Sequence, residues 1–488
     1  MDMTLGTVNE TVVAIAAARC REMGIVIPTL AQMKNPALIP PAIRSRLDNV
    51  GLWDIDPLNL FRITWKNDPE SGLFNDGNWV EFPSALTGVD ARIIGLVGHW
   101  FPTGSHKVGA AFGCLVPRLV TGGFDPTTQK AVWPSTGNFC RGGAFDSALL
   151  GCESVAILPQ EMSAERFAWL NKVASEVIAT PGCESNVKEI YDKCWEIKAT
   201  RPECVIFNQF EEFGNPIWHY HVTGSAIQEI FERIAAPGQR LGAFISSTGS
   251  AGTIAAGDFL KTRHPDMITT AAEALQCPTL YACGFGGHRI EGIGDKHVPW
   301  VHNVRSTDLV SAVDDQQCMD LLRLFNEDAG RAVLTASGVP GAVVDQLPLL
   351  GISGICNLVA AVQTAKHYDM DGRDVIFLPL TDSSALYSSR LSGLTAEKGP
   401  YTRDQAVADQ ARRLMGITPD YVRELSYLDR KTLHNFKYFT WVEQQGRTVE
   451  ELRRLWDRDF WTETFAVAEA WDRRIGEFND RVGLGRAG

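Results

Sequence analysis

The sequence predicts an α/β fold built on parallel sheet. Three observations carry that expectation. From residue 91 onward, short β-branched or apolar runs alternate with helical patterns. Strand, crossover helix and strand repeat several times, the pattern of a parallel sheet covered on both faces. Two of the runs lead through Gly- and Ser-rich turns into helices.

Taken in order, residues 12–23 form an Ala-rich amphipathic stretch, and a Pro-rich segment follows at 36–41; together they read as an arm lying on something larger. Strands are expected at 91–97, 130–133, 154–158, 176–179, 241–245 and 374–378. Helices are expected to start at Lys107–Val108 and to cover 142–151 and 254–261. After about residue 390, Arg, Asp, Glu and Trp at helical spacing fill 402–482, which reads as a helical tail. Its Trp stripes, Arg453-Arg454-Leu455-Trp456 and 461–471, are packing faces against the body or a second subunit. The organisation is therefore an arm (1–80), an α/β region (81–392, with a smaller subdomain at about 105–225) and a helical extension (393–488).

Composition narrows the function class. The chain has 488 residues, 45% hydrophobic and 21% charged, with a net charge of -12; no basic block interleaved with aromatics is present, so nucleic acid is not an expected partner. No apolar run reaches the roughly eighteen residues of a membrane span, and Met1-Asp2-Met3-Thr4 lacks the basic start of a secretory signal. Eleven cysteines are scattered without CxxC pairs or His partners at zinc spacing. A cytoplasmic protein with reduced thiols and no metal site is expected.

Four blocks carry chemistry. Lys107 lies in Gly104-Ser105-His106-Lys107-Val108-Gly109; a buried lysine with a lowered pKa is a nucleophile for carbonyl groups. Ser135-Thr136-Gly137-Asn138 follows a strand, and its hydroxyls and backbone donors can hold a carboxylate while the Asn138 amide meets a ring oxygen. Gly249-Ser250-Ala251-Gly252-Thr253 sits between a strand and a helix, where successive N–H groups, two glycines and two hydroxyls can surround a phosphate. Finally Thr381-Asp382-Ser383-Ser384 ends the last strand, and a Ser383 hydroxyl facing a pyridine nitrogen would leave it largely unprotonated, whereas Asp382 there would favour the opposite chemistry. Lysine, substrate loop, phosphate cradle and hydroxyl partner read as one pyridoxal phosphate (PLP) site. A dinucleotide site is excluded, because Gly98-His99-Trp100 follows the first strand in place of GxGxxG. Cys140 and His106 read as packing and contact residues, outside the catalytic set.

In this order the blocks resemble the fold-type II PLP enzymes, the tryptophan synthase β, cystathionine β-synthase and cysteine synthase group. Asn208-Gln209-Phe210, Asn215-Pro216 and His219-Tyr220-His221-Val222-Thr223-Gly224 are similar to one cysteine synthase segment, and His288-Arg289-Ile290-Glu291-Gly292-Ile293-Gly294 to another at the active-site mouth. The resemblance covers about residues 80–392. It implies two parallel-sheet α/β domains with the site between them and helical extensions at both ends. It further implies Lys107 as the Schiff-base lysine and Asn138 at the cofactor oxygen. Ser135, Thr136 and Asn138 go to the substrate carboxylate, Gly249, Ser250, Ala251, Gly252 and Thr253 to the phosphate, and Ser383 to the pyridine nitrogen. Departures are the Ser-His-Lys order, nearer the tryptophan synthase β motif, and Phe139-Cys140 where a Thr-Gly or Phe-Gly pair is common.

The implied activity is β-replacement on a β-substituted L-amino acid through an aminoacrylate intermediate, in a homodimer. Two alternatives stand beside it: a β-elimination lyase or dehydratase releasing a 2-oxo acid and ammonia, and a PLP-holding regulatory protein without turnover. Substrate, leaving group and nucleophile are not fixed by the sequence.

Overall fold

The computed structural model describes residues 7–294 and 296–484, so the Met1-Asp2-Met3-Thr4 start lies outside the described residues. The arm begins with α1 (Glu10–Glu22), capped by Asn9, whose side chain accepts from the Val12 amide. Its apolar face, Val13, Ala16, Ala17 and Cys20, is buried. Strands β1 (Trp79–Phe82) and β2 (Arg92–Val97) pair antiparallel. The chain then runs α2 (Lys107–Thr121), β3 (Lys130–Pro134), α3 (Asn138–Leu149), β4 (Glu153–Pro159), α4 (Ala164–Val173), β5 (Glu176–Thr180), α5 (Val187–Thr200) and β6 (Cys204–Ile206). These four strands, β3 to β6, form an all-parallel sheet in the order β5-β4-β3-β6.

A helical run at 214–234 follows, with a π-turn at His219–Thr223 before α6 (Gly224–Ile234). Next come β7 (Arg240–Ser247), α7 (Ile254–Lys261), β8 (Ile268–Ala274), β9 (Leu309–Val313), α8 (Ile352–His367) and β10 (Asp374–Leu380). The tail contains α9 (Ser388–Lys398), β11 (Val422–Glu424), α10 (Tyr427–Lys437), α11 (Arg458–Ala466) and α12 (Ala468–Val482). The larger sheet has seven strands in the order β1-β2-β10-β7-β8-β9-β11, parallel through its centre and antiparallel at both edges. The middle of the large sheet is covered on both faces: all of β10 and α8 from Ile352 to Ala365 is buried.

The expected strands are all present, and α7 has the expected bounds. Two expectations are corrected. The tail is not purely helical, because β11 adds an edge strand to the large sheet through pairing with β9. And α3 starts at Asn138, four residues before the expected position. Gly142 and Gly143 mark no boundary; they permit close packing, since a Cβ on Gly143 would fall 1.9 Å from the Trp133 ring and one on Gly142 2.7 Å from Val108 Cα. The Trp stripes dock on the body of the same chain. Trp461 and Trp471 lie in the main core, with Trp461 edge-on to Phe213.

Candidate active site

Lys107 opens α2, directly after a loop that leaves the end of β2 and turns at Gly104 with φ 72°. Its amine has no carboxylate partner among the described residues, and burial alone brings its pKa down to about 8. His106 beside it places Nε2 3.2 Å from Thr381 Oγ1 and packs edge-on to His219 with centroids 5.0 Å apart. Burial, aided by the Lys107 charge, holds both imidazoles well below the ordinary histidine range, so they are neutral dipoles.

The cradle Gly249–Thr253 links β7 to α7. Ala251 takes φ 60°, a left-handed conformation unusual for a residue with a side chain. A Cβ on Gly252 would meet Asn215 Oδ1 at 2.1 Å, so only glycine fits. Asn215 Nδ2 donates to Ser250 Oγ at 3.0 Å and to the Gln209 carbonyl at 3.0 Å, and Thr253 Oγ1 lies 3.4 Å from His219 Nε2. These partners are all uncharged. The π-turn brings His219 to this wall, a use such turns often serve.

Opposite, the loop Ser135-Thr136-Gly137 leads from β3 into α3. Ser135 Oγ accepts from the Gly137 amide at 3.1 Å and from Gln209 Nε2 at 3.2 Å. The Thr136 hydroxyl meets the buried Glu184 carboxylate, which also accepts from the Gly292 amide and is pushed up to about 7 by burial. Asn138 Nδ2 donates to Asp382 Oδ2 at 2.7 Å, leaving its Oδ1 buried and without a partner. Asp382 therefore faces Asn138 and Tyr387, whose hydroxyl donates to it at 2.8 Å. Arg166, fully buried behind Gly137, pairs with Glu291 and donates to the Tyr387 hydroxyl at 2.8 Å. Glu291 also pairs with Arg390. Ser383 Oγ lies 2.9 Å from His99 Nδ1.

All four blocks thus converge: Thr381 on His106, Asp382 on Asn138, and the cradle on Asn215 and His219. A family model described as pyridoxal-phosphate dependent enzyme matches residues 99–376. The chain belongs to that family. It is a PLP-dependent enzyme of the fold-type II group. It is 29% identical over 289 residues to a probable cysteine synthase of Bacillus subtilis, covering 59% of this chain and 85% of that one. Similarity to the cystathionine beta-synthase of Saccharomyces cerevisiae is 26% over 266 residues, 53% of this chain and 52% of that one. The fold is similar to that of O-acetyl serine sulfhydrylase isoform 3 from Entamoeba histolytica, with a TM-score of 0.55 at 21% identity, covering 70% of this chain and 98% of that one.

The residues present fit the cofactor. Among the described residues, the buried polar atoms Asn138 Oδ1, Asn215 Oδ1 and His106 Nδ1 have no partner and the lysine amine meets no acid, and a Cβ at Gly252 would run into Asn215. Sequence reasoning missed His99, Arg141, Arg166, Glu184 and Tyr387. Glu291 stood inside a quoted segment but was given no role. Arg141, one helical turn beyond Asn138, is buried with Nε and Nη1 unpartnered and its guanidinium 4.8 Å from the Trp169 ring centroid. Cys140 is a packing residue; its thiol donates to the Gly137 carbonyl and burial pushes its pKa to about 12.

Proposed function

We propose that the protein catalyses β-replacement on a β-substituted L-amino acid, with Lys107 as catalytic residue. The observation that supports this most is a buried amine of depressed pKa without a carboxylate partner among the described residues, next to His106, which packs on His219 of the uncharged cradle and meets Thr381. PLP, when bound, supplies the electrophilic aldehyde and the electron sink that loosens bonds at the α- and β-carbons. Gly249, Ser250, Ala251, Gly252 and Thr253 hold its phosphate through backbone N–H groups and hydroxyls. Ser135, Thr136 and Asn138 hold the substrate carboxylate, which fixes the α-carbon over Lys107. The Lys107 amine, neutral at its depressed pKa, would take the α-proton of the bound substrate. Ser383 serves the pyridine nitrogen; Asp382 is already engaged with Asn138 and Tyr387.

On this reading the arm (1–80) and extension (393–488) flank a catalytic region at 81–392, the enzyme is a cytoplasmic homodimer, and its partner is a small amino acid. No helix among the described residues is long and apolar enough to cross a membrane. The test is absorbance of the PLP-loaded protein titrated with O-acetyl-L-serine, L-serine, L-cysteine and L-threonine, with and without sulfide, while pyruvate and 2-oxobutyrate are assayed. A spectral change reversed by sulfide without oxo-acid release is expected; oxo-acid release without an added nucleophile would assign a lyase instead.

A further inference from the structure

Three successive residues at the end of β10 face three different partners. Thr381 meets His106, Asp382 meets Asn138, and Ser383 meets His99, at 3.2, 2.7 and 2.9 Å. The third contact has no role in the reading above. Ser383 is 3% exposed, and a hydroxyl has a single proton to donate. His99 is only half-buried, two residues past β2. Its neighbours are the Trp53 ring from the arm at 5.5 Å and the Trp100 ring at 4.5 Å. Among the described residues of the arm, of its own segment and of the end of β10 no charged group acts on it, and burial alone lowers its pKa. Its Nε2 has no hydrogen-bond partner among the described residues and is not enclosed, so it meets solvent.

We propose that His99 is a positioning residue that sets the direction of the Ser383 proton and, through it, the protonation of the cofactor's pyridine nitrogen. This rests on the reading of Ser383 beside that nitrogen. The proton count defines two states. With a proton on His99 Nδ1, the ring donates to Ser383 Oγ, and the hydroxyl donates onward to a bare pyridine nitrogen. In the other state His99 Nε2 has taken one proton from water, Nδ1 has passed its proton to Oγ, and Oγ has passed its own to the nitrogen. The hydroxyl then donates to Nδ1 and accepts from the protonated ring. One proton enters at Nε2 and one arrives at the pyridine nitrogen, with no electron transferred. Ser383 alone therefore does not fix the ring as a weak electron sink. His99 gives that nitrogen a route to solvent, and Trp53 places the N-terminal arm along it.

The experiment is nitrogen-15 NMR of the full chain loaded with PLP labelled at the ring nitrogen, followed from pH 8 to 5.5 in wild type, His99→Phe, His99→Asn and Ser383→Ala. In wild type the resonance is expected to move from the unprotonated toward the protonated position in step with the His99 ring signals. In His99→Phe and in His99→Asn, which keeps an amide toward Ser383 but cannot titrate, it is expected to stay still. The same pH course in wild type and His99→Asn would overturn the proposal. A Ser383→Ala spectrum matching wild type throughout would instead remove Ser383 from the nitrogen, whereas a changed Ser383→Ala spectrum with unchanged His99 variants would defeat the relay alone.

Discussion

The two walls of the site are made of different kinds of group. The cradle wall uses dipoles only: Ser250, Thr253, Asn215 and two neutral histidines, His106 and His219. The loop wall is backed by charge, with Arg166, Glu291, Asp382 and Arg390 joined in one largely buried network. The difference follows from what each must do. On the proposed reading, a cradle of backbone N–H groups would hold an anion without a counter-charge that would have to be desolvated when the site is empty. The charged network instead spans the two sheets: Arg166 comes from α4 beside the small sheet, while Asp382 and Tyr387 follow β10 of the large one. It fixes the distance between the walls, and Asn138 reads that distance through Asp382.

Lys107 follows His106 directly and its amine has no carboxylate partner among the described residues, and its removal is the largest expected effect. Lys107→Ala should lower turnover by at least about 10²–10⁴-fold and release PLP on dialysis, measured as loss of visible absorbance. Glu291→Gln strikes the charged wall alone. It leaves buried Arg166 with Asp382 at 3.6 Å as its remaining carboxylate, so the loss should stay below the roughly 3–5 kcal/mol of a fully unpaired buried charge, and a urea melt reads it directly. Gly252→Ala strikes the neutral wall alone. Its Cβ would displace Asn215, so PLP affinity should fall about tenfold, near 1.4 kcal/mol, while the melting transition of the apo protein changes less than in Glu291→Gln. An equal effect of both variants on affinity and on unfolding would erase the distinction between the walls.

The pH dependence of cofactor capture sharpens it further. A lysine pKa depressed to about 8 means that the neutral, reactive amine is lost as pH falls through that value. One unit lower, about a tenth of it remains. PLP uptake by the apo protein, followed in a stopped-flow spectrometer, should therefore slow with a midpoint near pH 8, and a midpoint at 10 or above would show that Lys107 is solvated. The smallest effect is expected far from both walls. Arg454→Ala removes an exposed pair with Glu463, which contributes about 0–1 kcal/mol, and thermal melting should hardly register it.

The Gly249–Thr253 part of the neutral wall was legible in the sequence because it is local, whereas Asn215, His219 and His106 reach it from distant segments. Five consecutive residues and the helix they open contain its glycines and hydroxyls. The charged wall was not. Arg166 and Glu291 are 125 residues apart, and neither stands in a pattern that marks it: Arg166 is one arginine in an amphipathic helix, and Tyr387 one tyrosine after a strand. His99 was seen only as the residue that ruled out a dinucleotide motif. The early start of α3 was hidden for a different reason, since Gly142-Gly143 look like a helix boundary until Trp133 and Val108 are packed on them. Likewise β11, with one apolar residue in three, becomes a strand only by pairing with Leu309–Ser311.

The tail is fastened to the main chain of the body. Lys437 of α10, buried with its pKa lowered to about 7, donates to the carbonyls of Trp300 and His302, and the Trp441 indole donates to the Val298 carbonyl. Those three carbonyls belong to the segment that follows the mouth motif at 288–294. An appended module touches its host through side chains at a surface and can be lost or exchanged; this one ties down the main chain of its host. Removing the tail would strip these three carbonyls of their donors, so the 298–302 main chain would have to find other partners to keep its path.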